Sequence, residues 1–451
     1  MGDAYVLGDG LPELAAALDL AEVGLSVRVA VPPRGECGDS WDELDDRGEF
    51  DPDGSLRGLL EHISAPLDEG DAPLDAARPA ATPPGAVLLR DAAGGWAPQP
   101  EPAVLGIPAV PLSSRAFALL GTGGALRAYL DRVRPVLTIG KTHALGALVQ
   151  SRLGGATLER LVQPIVRERF GVSADEVDVA IAAPGLNEAL TVAGSLSGAA
   201  LAYAERDVAR ETRVAPRGGW LALRDALLER LTLYGVSFGE ASAADVRRGE
   251  SEADEWVVAE GDAEFRARAL VVGARAIRDS SGAPGELEAL DGLLPRHLRI
   301  GAVVGIEDPG LPDAPDGLPA LQTVTLAGGE RWSVRVEPGG GAPLARVAGP
   351  AIPADRAPGA AEARSRILEA LEASSLSPRG SDTPHAAASA APHATVGQRD
   401  EAADRLEGFR ESAPDLLPVG AALHGGAVAS ALADARTAAV LLRRRLTGIS
   451  G

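Results

Sequence analysis

The N-terminal part of the chain carries the pattern that most restricts its fold. Residues 4–8 (AYVLG) are apolar and end in glycine, as a buried parallel strand does. Residues 11–24 carry apolar side chains at helical spacing, and Gly24 ends that pattern as a helix end would. A second buried-strand pattern, LSVRVAV, covers 25–31. We therefore predict a β-α-β unit, the setting in which a glycine turn can bind a dinucleotide.

The glycine turn between the first strand and the helix departs from a dinucleotide site at two positions. In such sites two glycines allow a tight turn and a close approach of backbone N–H groups to a pyrophosphate, and Gly8 and Gly10 meet this need. The third glycine position carries Glu13, whose carboxylate would suit the helix dipole but compete with phosphates for it. Val31 stands where an acidic residue about 20 positions on would hold the ribose. These residues alone leave two interpretations open, a nucleotide site or a Rossmann-like unit that only packs.

The charge of the chain narrows the classes of partner. Its 451 residues include 64 acidic and 43 basic ones, which gives a formal net charge of −21. An acidic surface repels phosphate backbones and anionic lipid, so we expect no nucleic-acid partner and no membrane-surface partner. The length predicts two or three domains. A folded protein acting on a small-molecule substrate fits these properties best.

The cysteine, the histidines and the length of the apolar runs bear on disulfides, metal sites and membrane segments. Cys37 is the only cysteine, which excludes a disulfide framework and a cysteine-based metal site within one chain. The six histidines show no metal-ligand spacing, so we predict no metal site. There is no run of about 18 apolar residues and no basic leader before the first strand. We therefore expect no transmembrane segment and a cytoplasmic location.

The rest of the chain alternates helical and strand-like stretches. Pro, Gly, Asp and Glu are frequent in 32–102, where we predict mostly loop apart from a helix at 55–63. Amphipathic spacing predicts helices, and short apolar runs predict strands, over several later ranges. The helices are 114–134, 143–172, 218–234 and 360–374, the strands are 256–260 and 267–274, and the C-terminal part is a strand, a glycine-rich turn and a long helix.

Several stretches of the chain carry a resemblance to a known family. They are GGWAPQPEPAVLGIPAVPL (94–112), LGALVQSRLGGATLERLVQPIVRERFGVSADEVDVAIAAPGL (145–186), SLSGA (195–199), APRGGWLALRDAL (215–227), ARALVVGARA (267–276), PHATVGQRD (392–400) and VGAALHGGAVASALADARTAA (419–439). In this order they resemble segments of the flavin-dependent protoporphyrinogen and coproporphyrinogen oxidases, which belong to the wider FAD-dependent amine-oxidase group. The resemblance covers most of the chain.

The resemblance implies an α/β fold and FAD as the cofactor. A Rossmann-like FAD-binding domain would be built from the discontinuous segments 1–87, 209–282 and 392–451. An inserted α+β substrate-binding domain would consist of 88–208 and 283–391.

The family's FAD contacts fall on three parts of this chain, which would hold the pyrophosphate, the adenine and the flavin end. The matching positions are Gly8, Gly10, Leu11, Glu13 and Val31 for the pyrophosphate and ribose, Ala244 and Val246 for the adenine, and Gly420, Ala421 and Val428 for the flavin end. Further departures from the family's pattern are Ala394, Gln398, Ala427 and Ala429. The departures lie at cofactor positions while the scaffold segments match, so we expect weak FAD binding rather than none.

The reaction that the resemblance implies is hydride removal from a porphyrinogen to the flavin. The cofactor supplies this chemistry, so no protein nucleophile is needed, and the sequence identifies no catalytic acid or base. Guanidinium groups would suit the carboxylates of such a substrate. The candidates in the matching segments are Arg132, Arg134, Arg167 and Arg169, together with Lys141. Taken one by one, their positions favour a solvated charge on a helix face over a substrate contact.

Two other functions stay open at this point. One is a flavoenzyme of the same fold with an amine or a polyene as substrate. The other is a non-catalytic relative that has lost tight flavin binding and serves as a binding protein. Four departures from the family's pattern favour it: Glu13, Val31, Ala427 and Ala429. We interpret Trp220 as a packing residue and His424 as either a turn residue or a flavin contact. The sequence gives neither the electron acceptor nor the oligomeric state.

Overall fold

A computed structural model describes most of the chain, and it divides into two compact units interleaved along the sequence. The described residues are 2–31, 41, 44–67, 72–134, 143–206, 211–249, 255–278, 285–307, 317–337, 343–380 and 384–448. The first unit consists of 1–83, 209–295 and 400–451, and the second of 84–208 and 296–399.

The elements have the following bounds. The strands are β1 (Gly2–Leu7), β2 (Val27–Val31), β3 (Glu49–Phe50), β4 (Pro79–Thr82), β5 (Leu88–Arg90), β6 (Trp96–Pro98), β7 (Ala103–Val104), β8 (Ile107–Pro108), β9 (Arg213–Pro216), β10 (Ser237–Glu240), β11 (Val246–Arg248), β12 (Trp256–Glu260), β13 (Ala263–Gly273), β14 (His297–Gly305), β15 (Ala320–Thr325), β16 (Arg331–Glu337), β17 (Leu344–Pro353), β18 (Ala387–Ala390) and β19 (Leu416–Val419). The α-helices are α1 (Leu11–Ala21), α2 (Ser55–Ser64), α3 (Ser114–Tyr129), α4 (Leu145–Leu153), α5 (Gly155–Thr157), α6 (Gln163–Phe170), α7 (Val179–Ala182), α8 (Leu186–Ala193), α9 (Leu196–Arg206), α10 (Trp220–Leu233), α11 (Ala274–Arg278), α12 (Ala360–Ala373), α13 (Val396–Ser412) and α14 (Val428–Leu446).

A mixed sheet forms the centre of the first unit, in the order β10-β2-β1-β13-β12-β11, with β19 also paired to β13. The strands β10, β2, β1, β13 and β19 run parallel, while β12 and β11 extend the sheet antiparallel. Successive side chains of β1 enter two different cores: Ala4 and Val6 on one face, Tyr5 and Leu7 on the other. A central parallel strand is buried on both faces, which explains its unbroken apolar sequence.

Helices α1 and α14 lie together on one face of this sheet. Helix α1 is buried along its whole length, including its charged residues Glu13 and Asp19. Arg436 of α14 donates from Nε to the carboxylate of Asp19 at 2.9 Å, so this buried charge has a partner. The pair fixes the two helices whose N-termini face the carboxyl edge of the sheet.

The second unit combines a sheet with a helical part. Its sheet has the order β18-β14-β17-β16-β15-β5-β6. Helix α12 packs on it around Ile367, opposite the buried Trp332. Much of α4 and α6 to α9 packs into a separate apolar cluster.

The structure also contains elements where the sequence predicts mostly loop. Within the described part of 32–102 it places the predicted helix, as α2, and the short strands β3 to β6. Strand β4 pairs with β9, and β5 pairs with β15, which lies far along the chain. None of the helices in the described ranges is both long and apolar enough to cross a membrane.

Candidate functional site

Three glycines meet at the carboxyl edge of the first unit's sheet. Gly8 follows β1, Gly273 ends β13 and Gly420 follows β19. Gly8 and Gly420 both have φ of +133°, a backbone conformation that residues with a Cβ rarely adopt. A Cβ on Gly420 would lie 2.7 Å from the Cβ of Ala274, so the chain segments approach closely here. The sequence identified Gly8 and Gly420, whereas Gly273 was recognised only as part of a strand-like segment.

Two helices begin at this edge. Helix α1 starts at Leu11 with Gly10 as N-cap, and α14 starts at Val428 with Ala427 as N-cap; neither N-cap side chain caps its helix. A helix N-terminus attracts anions through its exposed N–H groups and its dipole. Pro12 is the second residue of α1 and has no N–H, so this turn offers one donor fewer than a common dinucleotide turn. Pro12 is visible in the sequence, but it was not among the predicted departures from a dinucleotide turn.

The side chain of Glu13 lies among the glycines of the turn. A Cβ on Gly10 or on Gly273 would be 3.0 Å from the Glu13 Cδ, and a Cβ on Gly8 would be 3.2 Å from its Cγ. Glu13 is 6% exposed, so its carboxylate is enclosed rather than directed into solvent. The space left by the missing side chain of Gly10, which a pyrophosphate uses in dinucleotide sites, holds this carboxylate.

Other side chains bind the turn at Asp9. The indole Nε1 of Trp41 donates to the Asp9 carbonyl at 2.7 Å, and Trp41 is 2% exposed. Arg224 donates from Nη2 to the Asp9 carboxylate at 3.2 Å. Every residue from Gly8 to Glu13 is buried. Trp41 was not predicted as a site residue, because nothing in its sequence position connects it with Asp9.

The other positions assigned to the ribose and adenine lie at two places in the order of the first sheet: Val31 ends β2, beside the edge strand β10, whereas Val246 starts β11, the strand at the opposite end. Val31 ends β2 and pairs with Glu240, the exposed last residue of β10. Ala244 is exposed in a 3-10 turn, while Val246 is buried at the start of β11 and pairs with Val258. The structure thus leaves Ala244 accessible and engages Val246 in the sheet.

The C-terminal turn is held by an ion-pair network. His424 lies 3.2 Å through Nε2 from the Asp434 carboxylate, and Arg410 binds the same carboxylate with two bonds of 2.7 Å. Burial alone would raise the pKa of Asp434, but the hydrogen bonds from Arg410 and His424 outweigh it and hold this pKa below its usual range. This network gives His424 a structural partner within α14. Ala421 is partly buried in the 3-10 turn that contains His424.

The predicted substrate arginines lie on two segments of the second unit. Arg132 and Arg134 are exposed around the 3-10 turn after α3, and Arg134 donates to the carbonyl of Ser151. Arg167 and Arg169 are partly buried in the last turn of α6. Burial, together with the positive charge of Arg331, lowers the pKa of Arg167. Lys141 lies outside the described residues.

The Trp220 indole donates to the carbonyl of Asp45 at 3.0 Å and the side chain is buried, which is a packing role.

No group of three or more His, Cys, Asp or Glu suited to a metal ion occurs within the described ranges.

The fit of this turn to the pyrophosphate of FAD depends on its backbone and on its side chains. Its backbone has the right form, because a glycine turn leads from a central parallel strand into a helix N-terminus. The enclosed carboxylate of Glu13 takes the room, and Pro12 lacks a donor. In this conformation the turn does not accommodate a pyrophosphate.

Comparison with known proteins shows the fold. No protein-family model and no curated protein matches the chain. A candidate protoporphyrinogen oxidase from Exiguobacterium sp. 255-15 matches with a TM-score of 0.64 and 17% identity, over 98% of this chain and 99% of that one. Reduced UDP-galactopyranose mutase matches with a TM-score of 0.58 and 13% identity, over 100% of this chain and 94% of that one. Cyclohexylamine oxidase from Brevibacterium oxydans IH-35A matches with a TM-score of 0.51 and 16% identity, over 99% of both chains. This chain therefore has the α/β fold, with a Rossmann-like first sheet, that these oxidoreductases and the mutase share.

Proposed function

We propose that the chain is an oxidoreductase that binds FAD weakly along the carboxyl edge of its first sheet. The observation that carries this proposal is the meeting of Gly8, Gly273 and Gly420 with the N-termini of α1 and α14 at the ends of parallel strands. Cofactors of open α/β proteins bind at this edge, where the strand order reverses. The order here reverses at β1, which lies between β2 and β13.

The substrate class that we propose is a porphyrinogen, oxidised by transfer of a hydride to the flavin. Two observations support it. The stretches between 94 and 439 resemble the porphyrinogen oxidases in order, and the candidate protoporphyrinogen oxidase matches nearly the whole chain. Arg132, Arg134, Arg167 and Arg169 supply guanidinium groups that would suit the substrate's carboxylates. An amine or a polyene is the alternative substrate on the same fold, and the name of cyclohexylamine oxidase gives that alternative its support.

The first test is a visible absorbance spectrum of the purified protein, followed by titration with FAD and an assay with coproporphyrinogen and protoporphyrinogen. We expect less than one FAD per chain after purification, uptake of added FAD, and oxidation of one of the two substrates. Oxidation of amines alone would replace porphyrinogens by amines as the substrate class, and the proposal of FAD as the cofactor would stand. A protein that stays colourless at saturating FAD and oxidises neither porphyrinogen would refute the proposal.

A second candidate function is that of a non-catalytic binding protein, and the enclosed Glu13 and Trp41 favour it. In that case the glycine edge is part of the scaffold, and the turn is closed by its own side chains. This candidate predicts no spectral change on adding FAD and a thermal unfolding temperature that FAD does not raise. Tight, stoichiometric FAD in the purified protein would exclude it.

A further inference from the structure

We propose that the Glu13 carboxylate is an internal occupant of the anion site at the start of α1, so that a pyrophosphate binds only after this side chain has left. For FAD as the ligand, the inference rests on the proposed function. It goes beyond that function by naming the residue that sets the affinity of the site. It also predicts that one substitution opens the site.

The position of Glu13 on α1 explains why its carboxylate lies there. With Gly10 as N-cap, Glu13 is the third residue of the helix. From this position a glutamate commonly reaches back to the backbone N–H of the N-cap. That N–H group belongs to the same glycine that gives a pyrophosphate room to approach the backbone. The carboxylate and the pyrophosphate therefore compete for one place.

The geometry leaves no room for both groups. The Glu13 Cδ lies 3.0 Å from where a Cβ on Gly10 would be and 3.0 Å from where one on Gly273 would be. Gly10 has φ of −67°, which any residue adopts, so the backbone does not require glycine there. What the missing side chain of Gly10 provides is space, and Glu13 fills it.

Charge adds to the exclusion by volume. A carboxylate and a phosphate repel each other strongly at contact distance in a site that is screened from water. The carboxylate is enclosed, with Glu13 only 6% exposed, so water screens it little. Trp41 and Arg224, which both bind Asp9, hold the adjacent part of the turn in the same closed form.

The effect on affinity follows from the population of the closed form. If the carboxylate holds the site in about 99% of molecules, the apparent Kd of a competing ligand is about 100-fold higher than that of the open turn. Removing the carboxylate should lower the Kd by about this factor. Removing only its charge should give part of the gain, because the volume stays.

The experiment compares the parent with Glu13→Ala and Glu13→Gln by calorimetric titration of the full chain with FAD, ADP and riboflavin. Alanine keeps the Cβ and favours the helix, and glutamine keeps the volume without the charge. Glu229→Gln, at an exposed position of α10, is the matched control for loss of one negative charge. ADP carries the pyrophosphate without the flavin, whereas riboflavin carries the flavin without any phosphate.

We expect Glu13→Ala to bind FAD and ADP about 100-fold more tightly than the parent, Glu13→Gln to lie between them, and Glu229→Gln to equal the parent. Riboflavin affinity should not change. A gain for ADP without any FAD binding would support the inference and refute the proposed function. Uptake of FAD with equal affinity by the parent and Glu13→Ala would overturn the inference and leave the function standing. Absence of any gain for ADP in both Glu13 variants would also overturn the inference; Glu13→Gln keeps this test valid should the alanine variant not fold.

Discussion

Arg410 connects the last strand of the first unit to its long C-terminal helix, and its replacement by methionine tests how the C-terminal turn is held. Its guanidinium makes two bonds of 2.7 Å to the Asp434 carboxylate of α14 and one of 2.9 Å to the carbonyl of Pro418 in β19. The side chains of Arg410 and Asp434 are 21% and 23% exposed, so water reaches the pair only in part.

The magnitude of the effect can be worked out from these three bonds. A hydrogen bond to a charged group contributes about 1.5–3 kcal/mol, so simple addition gives about 4.5–9 kcal/mol as an upper limit. Water replaces part of what is lost at a site that is one-fifth exposed, and bonds that share one group are not additive. We therefore expect Arg410→Met to lower the free energy of unfolding by about 2–4 kcal/mol at pH 7.

The dependence of this loss on pH follows from the lowered pKa of Asp434. A carboxyl group with a lowered folded-state pKa stabilises the fold fully above its unfolded pKa, which is about 3.9, and loses that contribution as the pH falls through the folded pKa. In Arg410→Met one of the two donors to this carboxylate is absent while the burial remains, so the pKa of Asp434 is higher than in the parent. The difference in stability between parent and variant should therefore be largest near neutral pH and smaller at pH 4.

The assay is urea unfolding at pH 7 and pH 4, followed by hydrogen exchange of the backbone amides of 416–446. A local readout is needed because the two units need not unfold together. The matched control is Arg247→Met, which removes an arginine whose 2.8 Å bond to Glu264 is about half exposed, with side chains 47% and 51% exposed. This exposed pair should contribute at most about 1 kcal/mol. Equal losses in the two variants, or a loss from Arg410→Met that stays constant down to pH 4, would show the reasoning to be wrong.

Two further predictions concern the glycine edge and the second unit. Gly420→Ala should destabilise the protein by about 3 kcal/mol in urea unfolding, because a φ of +133° is combined with a new contact of 2.7 Å to Ala274. The control Gly24→Ala, at φ of +83° with open space around it, should destabilise it by only about 1 kcal/mol. Equal losses in the two variants would contradict the steric argument. Arg299→Met should destabilise the protein by about 3 kcal/mol and speed hydrogen exchange in α6. The reason is that Arg299 donates to the carbonyls of two residues in the last turn of that helix, at 2.6 and 2.8 Å. Burial lowers the pKa of Arg299 only to about 10, so the side chain is charged at pH 7. Exposed Arg356 provides the control Arg356→Met, and an equal effect there would count against a capping role.

Local patterns in the sequence were enough to predict the central elements. The strand pattern over 4–8, the helical spacing over 11–24 and the apolar run over 25–31 correspond to β1, α1 and β2. These elements are specified by their own residues: a strand buried on both faces needs an unbroken apolar run, and glycine ends the helix.

Elements that depend on distant partners could not be predicted in this way. Strands β4 and β5 lie in a segment rich in proline and acidic residues, and they form by pairing with β9 and β15. The amphipathic stretch 143–172 was predicted as one helical region, but helix α4 ends before Gly154, where φ is +95°. A hydrophobic period does not reveal such a break, since the apolar face continues on both sides of it.

The candidate site shows the same division. Glu13 was visible as a departure because a spacing rule defines where the third glycine should stand. The direction of its side chain, and the bond from Trp41 to Asp9, depend on how the turn folds and on a residue 32 positions away. The partners of His424 and Arg134 likewise come from other helices.

The glycines at this edge have two different roles: some are required by the backbone conformation, and one leaves space that another group can fill. Gly420 is needed by the chain itself, because its φ of +133° and the close approach of Ala274 exclude a side chain whether or not anything binds. Gly8 shares that φ, so its presence is explained in the same way. Gly10 has an ordinary backbone conformation, and the space beside it serves whichever group fills it. Here that group is Glu13, so ADP affinity before and after Glu13→Ala reports on binding more directly than the glycine spacing does.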